Sequence, residues 1–295
     1  MKNFTGFACN KVNKSDFICC SCINARSLKN KFSELHELLY GGSEAYDIVC
    51  ITESWLNSTV SDSMLDPNNE YIIFRKDRVN KKKGGGVCVF IRRHLHVVRL
   101  DLLDCFNNLE CVCFDILLQA STIRVLAVYR PGGSSANDNL VMQMLINCLH
   151  NYCTTDITAL LLGDLNCNNI NWTELTVKND TLQKMFLDAT IDLGLSQYVE
   201  EPTRGENILD IVLCNDPLLI SEVNVGPPFS ISDHNSVDFL LCLGSVTKIT
   251  NRSCFNDLKH EKVSAKLVVK NERTQKSAVL WNRQIGTVWN IFYKM

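Results

Sequence analysis

Apolar residues in the first half of the chain fall in short runs separated by polar stretches, which predicts mostly β-strands. Runs of roughly four to eight apolar residues are typical of buried strands. The strands predicted in this half cover residues 17–23, 46–52, 71–77, 86–92, 109–117 and 123–131. A short polar link joins the last two, and such a link predicts a β-hairpin.

Three other segments instead carry apolar residues at helical spacing, one between the first two strands and two in the second part of the chain. They predict helices over residues 25–40, 138–152 and 179–195, the second of them capped by Asn137 and the third ended by Gly194. The remaining apolar runs predict four more strands, over residues 157–166, 207–215, 219–225 and 234–243.

The number of strands indicates the fold class. There are too many strands for a helical bundle and too few helices for a simple doubly wound sheet, so we expect two packed sheets flanked by helices. We expect one folded domain over residues 17–243, preceded by a leader over 1–16. Residues 244–295 show weak periodicity, and we expect a poorly ordered basic tail.

Composition excludes a disordered or coiled-coil chain, because 46% of the residues are hydrophobic and 21% are charged. The formal net charge is only −2, but basic residues are concentrated locally. Residues 245–295 contain ten Lys or Arg and three Asp or Glu, and residues 75–93 contain eight basic residues and one acid. Either segment can contact phosphate groups, or be a solvated loop and a frayed tail.

Cysteine usage suggests a reducing compartment, and the absence of long apolar runs argues against a membrane span. The 15 cysteines are odd in number and scattered, which does not indicate a disulfide framework. Cys19 and Cys22 form a C-x-x-C pair, but no second pair or His cluster follows to complete a zinc site. We find neither a bilayer-length apolar run nor a signal-peptide core, and expect an intracellular protein of the nucleus or cytoplasm that is neither secreted nor membrane-bound.

Polar side chains stand at the ends of several predicted strands, where the strands themselves do not require them. A rigid scaffold holds such loops in place, so sites are commonly assembled there. The residues in these positions are Asn24, Glu53, Tyr129, Asp164, Asn166, Asp233 and His234. Asp210 lies inside an apolar run, and a buried acid needs a partner.

Taken one at a time, these residues also have structural explanations. Asn24 can cap the helix predicted after it, and Tyr129 can be a core aromatic residue with a satisfied hydroxyl. Asp164 and Asn166 can form an Asx turn. Glu53 can be an acid of a surface loop.

Taken together, the same residue types suit metal-assisted hydrolysis of a phosphoester. A hard divalent ion such as Mg²⁺ prefers oxygen ligands, which Glu53 can supply with Asp233 or Asn24. His234 titrates nearest neutral pH and can activate water, while Asp210 can orient its ring. Asp233 and His234 can also simply form a turn.

Six short motifs occur in a fixed order, namely NARSL, ITESWL, VYRP, GDLN, ILDIVL and SDH. This ordered set resembles the endonuclease/exonuclease/phosphatase superfamily. The segments NARSLKNK, TESWL and RKDR with GGGV are most similar to the endonuclease domain of non-LTR retrotransposons of the Jockey or chicken-repeat type. The resemblance spans residues 17–243. It implies a four-layer α-β-β-α sandwich with two packed mixed β-sheets.

The resemblance also implies roles for individual residues. The metal ligands would be Glu53, Asp233 and Asn24. The catalytic residues would be His234, Asp210, Asp164, Asn166 and Tyr129. We expect the phosphate and DNA contacts to be Asn24, Arg26, Arg130, Ser232, Lys81, Lys82 and Lys83.

Two positions depart from the pattern of related enzymes. Relatives specialised for abasic DNA carry an acid where this chain has Arg26, which argues against abasic-site repair and is usual for the retroelement branch. The position three residues before Asp210 is often Ser or Thr, and here it is Asn207.

The function that the resemblance implies is Mg²⁺-dependent nicking of DNA, with Mn²⁺ able to replace Mg²⁺, to leave a 3′ hydroxyl that can prime reverse transcription. The partners would be DNA and, in trans, retroelement RNA or a reverse transcriptase, and a monomer is expected. Residues after Leu243 carry no polymerase-like Asp-Asp motif, so an inactive remnant or DNA-binding module is one alternative. A phosphatase or phosphodiesterase for small molecules or lipids is another.

Overall fold

The computed structural model of the chain describes residues 16–41, 45–78, 84–133 and 135–243. The predicted leader, except Asp16, and the predicted tail lie outside these ranges, as do Lys81, Lys82 and Lys83. The domain limits therefore stay a prediction. None of the described helices is long and apolar enough to cross a membrane.

Strands dominate the described part of the chain. The strands are β1 (Phe17–Asn24), β2 (Ile48–Thr52), β3 (Tyr71–Lys76), β4 (Val87–Arg92), β5 (Val97–Leu100), β6 (Glu110–Leu117), β7 (Thr122–Tyr129), β8 (Thr158–Asp164), β9 (Ile170–Asn171), β10 (Thr176–Val177), β11 (Ser196–Gln197), β12 (Asp210–Cys214), β13 (Ile220–Pro228) and β14 (Asn235–Cys242). The helices are α1 (Phe32–Tyr40), α2 (Asp62–Leu65), α3 (Ala136–Tyr152) and α4 (Thr181–Asp192). Every strand predicted from the apolar runs is present.

Two six-stranded sheets form the centre of the fold. The first has the strand order β13-β14-β1-β2-β4-β3, and the second has the order β11-β12-β8-β7-β6-β5. The pairs β1–β2 and β7–β8 are parallel, whereas the other neighbours within the two sheets are antiparallel. Both sheets are therefore mixed, as the resemblance implies.

Side chains alternate between the two faces of each strand and so build three hydrophobic layers. Cys20 and Cys22 of β1 face the core between the sheets, whereas Ile23 belongs to the outer layer beneath α1. Helices α3 and α4 cover the outer face of the second sheet. The arrangement is helix, sheet, sheet, helix, which confirms the predicted four-layer sandwich.

The first helix begins seven residues later than predicted. Its first residue is Phe32 and its N-cap is Lys31, so the proposed capping role of Asn24 is wrong. Residues 25–28 instead extend alongside the end of β2, where Ser27 N–H donates to the Glu53 carbonyl at 2.8 Å. Leu28 is buried in the same layer as the helix residues, which explains why its spacing looked helical.

Two further expectations about the helices differ from the structure. The N-cap of α3 is Ser135 rather than Asn137, and Ser135 forms a capping box with Asp138. The pattern also missed α2, because a helix of four residues is too short to show a helical period.

Candidate active site

The strand ends predicted to carry chemistry meet at one edge of the two sheets. The parallel strands β7 and β8 finish there with Tyr129 and Asp164. The antiparallel strand β12 starts there, and its first residue, Asp210, lies directly opposite Asp164 in the register. β14 also starts at this edge, immediately after His234. The sheet topology therefore gathers side chains that are far apart in sequence.

Asp164, Asp210 and His234 form a buried cluster. Their side-chain ligand atoms all lie within 4.8 Å of one another. His234 Nδ1 lies 2.8 Å from Asp210 Oδ2, which fixes the orientation of the imidazole ring. The other oxygen of Asp210, Oδ1, is buried and has no hydrogen-bond partner among the described residues. A buried carboxylate oxygen without a partner is costly, so the cluster is suited to binding a further group.

The buried surroundings change the protonation of Asp164 and of His234. Burial, followed by the negative charge of Asp210, raises the pKa of Asp164 to about 8. Burial alone would lower the pKa of His234, but its hydrogen bond to Asp210 and the charges of both acids outweigh burial and raise that pKa. The cluster therefore favours added positive charge, either a proton or a cation.

Asn24 connects this cluster to Glu53 on the neighbouring sheet. Its Nδ2 donates to Asp164 Oδ2 at 2.7 Å and lies 3.4 Å from Glu53 Oε1. The Tyr129 hydroxyl donates to the same Glu53 oxygen at 3.1 Å, and Trp55 Nε1 donates to the other at 3.0 Å. Burial and the charge of Glu53 raise the pKa of Tyr129 well above its usual range, so its hydroxyl stays protonated.

Several of these residues are held in an uncommon backbone conformation. Arg26, Glu53 and Asn166 have positive φ angles of 43°, 48° and 50°, respectively. Such a conformation costs about 1–3 kcal/mol for a residue other than glycine and persists only where surrounding structure imposes it. Strained residues of this kind cluster at functional sites, in agreement with the convergence of the side chains.

The glycine turn before β4 supports the Glu53 loop. Trp55 N–H donates to the Gly85 carbonyl at 2.9 Å, and Ser54 N–H donates to the Gly86 carbonyl at 3.2 Å. Gly86 has a φ of +87°, and a Cβ atom there would lie 2.7 Å from Ser54 Oγ. Glycine is therefore required for this close approach, which holds Trp55 in place to donate to Glu53.

Arg130 supports the site from within the protein. Its Nε donates to the Leu165 carbonyl at 2.6 Å, and one of its terminal nitrogens donates to the Asn166 carbonyl at 2.8 Å. It is buried, and these two bonds tie it to the loop that follows β8, while its contact with a substrate phosphate stays a prediction. Asn166 N–H donates to Asp164 Oδ1 at 3.0 Å, so the predicted Asx turn is present within the site.

Ser232 likewise acts as an anchor. Its hydroxyl donates to the Asn24 carbonyl at 2.7 Å and accepts the His234 N–H at 3.2 Å. The side chain is buried, and these two bonds tie the turn before β14 to the end of β1. Ser232 thereby sets the position of His234 relative to Asn24.

Asp233 does not join the buried cluster. Its two carboxylate oxygens accept from Arg26 at 2.8 Å and from Arg204 at 2.6 Å. Burial would raise the pKa of Asp233, but the two arginines outweigh this effect and lower it. Both oxygens are thus engaged by arginines at the surface, and the metal-ligand role of Asp233 stays a prediction.

Sequence reasoning missed three residues of this region. Trp55 stands two residues after Glu53 in ITESWL, so its position was visible but its contact with Glu53 was not. Thr203 is buried, and its hydroxyl oxygen accepts the N–H of Asp210 at 3.1 Å. Arg204 follows Thr203 in the loop between β11 and β12. It was missed because only polar residues at strand ends were considered.

A polar pocket of about 570 Å³ opens beside the cluster. Asn166, Arg130 and Arg204 form part of its wall, together with the loop of Asn168 and Asn169. The cluster residues do not line the pocket, which instead borders the residues that flank them in sequence, such as Asn166 and Leu209.

The fold resembles solved nucleases and phosphatases. The endonuclease domain of TRAS1, a telomere-specific non-LTR retrotransposon, aligns with a TM-score of 0.59 and 15% identity over 78% of this chain and all of its own. An AP endonuclease from Leishmania major aligns with a TM-score of 0.61 and 13% identity over 79% of this chain and 90% of its own. A 3′ phosphatase from Neisseria, solved with a product DNA hairpin, aligns with a TM-score of 0.55 and 15% identity over 75% of this chain and 98% of its own. No curated protein matches the chain.

These likenesses define the fold, which this chain shares with nucleases and a phosphatase. The fold agrees with the resemblance that the motifs indicated. Residues 123–238 also match the family described as endonuclease-reverse transcriptase. The matched region includes Tyr129, Asp164, Asp210 and His234.

Proposed function

We propose that the protein is a Mg²⁺-dependent phosphodiesterase, a DNA endonuclease of the retroelement type that nicks its target and leaves a 3′ hydroxyl. The observation that carries this proposal is the convergence of five side chains at one sheet edge. They are Asn24, Glu53, Asp164, Asp210 and His234. Carboxylates, an amide and a carboxylate-oriented histidine are the groups that hydrolysis of a phosphodiester requires.

The residues present suit a hard divalent cation. Asp210 Oδ1 is buried with no partner among the described residues, and the negative charge of the two neighbouring acids favours added positive charge. Glu53 and Asn24 would hold the ion with Asp164 beside them, since oxygen ligands suit Mg²⁺ and Mn²⁺. When bound, the ion would neutralise phosphate charge and stabilise the leaving 3′ oxygen.

The chain's own groups can activate the attacking water. His234 Nδ1 faces Asp210, so Nε2 is the nitrogen left to accept a proton from water. Asp210 then stabilises the imidazolium that forms, and it keeps the ring from rotating. Asp164 lies in the same cluster and can orient the water for in-line attack.

Neutral donors next to the acids can bind the phosphate oxygens. Asn166 uses one amide hydrogen on the Arg130 carbonyl at 2.9 Å, and its second hydrogen can bind a phosphate oxygen. The Tyr129 hydroxyl stays protonated because its pKa is raised, so it is a donor and not an anion that would repel phosphate. The phosphate oxygens would thus be bound by neutral donors.

Two observations support DNA as the substrate and a retroelement role. Residues 123–238 match a family described as endonuclease-reverse transcriptase, and a retrotransposon endonuclease shares the fold. Arg26 replaces the acid of relatives specialised for abasic DNA, so ordinary duplex DNA is the preferred substrate. A monomer would act on DNA, and retroelement RNA or a reverse transcriptase would join in trans.

The proposal is tested with supercoiled plasmid incubated with the protein and Mg²⁺. We expect conversion to the nicked circle, and we expect a DNA polymerase to extend the nick directly, because the product ends in a 3′ hydroxyl. EDTA should abolish conversion, and Mn²⁺ should restore it. Cleavage confined to an abasic-site duplex, or turnover of inositol phosphates or sphingomyelin without action on plasmid, would refute the proposed substrate. DNA binding without cleavage would indicate an inactive remnant.

A further inference from the structure

Three charged side chains form a chain of ion pairs at the rim of the site. Arg26 and Arg204 each contact a different oxygen of Asp233, at 2.8 Å and 2.6 Å. All three side chains are 40–45% exposed. We call the two arginines the arginine clamp. Asp233 lies between them and keeps both guanidinium groups at the surface next to the buried cluster.

Each member of this arrangement is tied to the catalytic centre through its own loop. Arg26 N–H donates to Asn24 Oδ1 at 3.0 Å, and Asp233 immediately precedes His234. Arg204 follows Thr203, whose carbonyl accepts the Asn235 N–H at 2.8 Å. These contacts fix the backbone from which each side chain extends, and the ion pairs with Asp233 then hold the guanidinium groups.

The charges of the arrangement do not cancel. Two arginines share a single carboxylate, which leaves one positive charge at the rim. Each guanidinium has five N–H donors, and its fork geometry matches the oxygens of a phosphate.

We propose that the arginine clamp binds a backbone phosphate of the DNA strand being cut, next to the scissile phosphate, and that Asp233 is the positioning residue that holds the two arginines apart. This inference rests on the proposed function, because it assigns a substrate contact to the same site. A phosphate that lies beside Asp233, against the N–H groups of the two guanidinium groups that Asp233 does not use, would receive donors from both. Asp233 would keep them from collapsing towards Glu53 and the buried acids.

The clamp is tested first by DNA binding in EDTA, where no cleavage occurs. We expect Arg26→Ala and Arg204→Ala each to weaken binding of a duplex oligonucleotide by about three- to tenfold and to reduce the slope of log Kd against log salt by about one. Arg99→Ala is the matched control, since Arg99 is exposed in β5, at the opposite edge of the second sheet from β12 and outside the basic segment 75–93. Equal binding by all three variants would overturn the clamp. Clamp-dependent binding by a protein that never nicks would refute only the proposed function.

Asp233 is tested by steady-state nicking kinetics. We expect Asp233→Asn to raise KM for DNA by about three- to tenfold with little change in kcat, and to leave unchanged the Mg²⁺ concentration for half-maximal rate. Asp233→Glu should restore KM in part, and thermal melting should show that both variants fold. A rise of about tenfold or more in the Mg²⁺ requirement would instead make Asp233 a metal ligand and overturn its positioning role.

Discussion

The buried centre and the exposed rim of the site pair acids with bases in opposite proportions. In the centre, Asp164 and Asp210 face one histidine and are fully buried. At the rim, one carboxylate, Asp233, faces Arg26 and Arg204, and all three are partly exposed. The centre therefore has too little positive charge, and the rim has too much.

The difference in charge indicates which ligand each region can bind. The pKa of Asp164 is raised, because burial and a like charge disfavour its ionised form. The pKa of Asp233 is lowered, because two arginines outweigh its partial burial. A cation would remedy the deficit in the centre, and an anionic phosphate would remedy the excess at the rim.

The largest effect on activity is expected when a charge is removed from the buried centre. We expect Asp164→Asn to reduce the nicking rate by about a thousandfold or more, because it loses the anion that orients water and accompanies the cation. We also expect it to raise the melting temperature, since it relieves repulsion with Asp210. Asp238→Asn is the control, because Asp238 is another acid whose pKa burial raises, but it contacts Ser21 and lies outside the cluster. Equal loss of activity in both variants would contradict a specific role for Asp164.

Arg130 supports the loop beside the centre, so its removal should lower stability more than it lowers the rate of nicking. We expect Arg130→Ala to lower the free energy of unfolding by about 2–3 kcal/mol, because one buried and one partly buried carbonyl lose charged donors. Urea unfolding measures the change. Arg99→Ala is the matched control, since Arg99 is exposed, and it should cost less than about 0.5 kcal/mol. If Arg130→Ala is as stable as the wild type but binds DNA more weakly, Arg130 contacts a phosphate and does not support the fold.

A smaller effect is expected at the Glu53 side of the centre. Trp55→Phe removes the N–H donor to Glu53 Oε2, so we expect the Mg²⁺ requirement for nicking to rise by about tenfold. Trp172→Phe is the matched control, because Trp172 Nε1 is buried with no partner among the described residues. That change should leave the Mg²⁺ requirement unaltered. An equal response of both tryptophan variants would show that Trp55 only packs.

The smallest effect concerns stability against pH in EDTA. Asp164 has a folded-state pKa raised to about 8, so its contribution to stability is fully present below the unfolded pKa of about 4 and is lost as pH rises through the folded value. We expect the melting temperature of the wild type to fall by a few degrees relative to Asp164→Asn between about pH 5 and pH 9. Mg²⁺ should reduce the fall. A difference that does not change with pH would contradict the raised pKa.

The sequence predicted the strands and the centre because both depend on local patterns. Runs such as FICCSCI and YDIVCIT are apolar enough to specify buried strands, and Glu53 directly follows the second of them. Asn24 and Glu53 stand at the ends of the parallel neighbours β1 and β2, and the ends of parallel neighbours lie at the same edge of a sheet.

The supporting contacts could not be predicted, because they join segments distant in sequence. Ser232 binds the Asn24 carbonyl across 208 positions, and Arg130 binds the Asn166 carbonyl across 36. Asp233 was predicted to bind the metal because it stands beside His234. Its ion pairs with Arg26 and Arg204 could not be foreseen, because those arginines lie on other loops. The late start of α1 has a similar cause, since Leu28 is buried by tertiary packing and not by helical geometry.

The central claim is that His234, oriented by Asp210, is the base of a metal-dependent nuclease centre. The most direct measurement compares the wild type with His234→Ala in nicking of supercoiled plasmid at saturating Mg²⁺, with folding of both checked by thermal melting. We predict that the variant folds, binds DNA, and nicks at least about a thousandfold more slowly. Equal nicking by the two proteins, or nicking by the wild type that persists in EDTA, would contradict the claim.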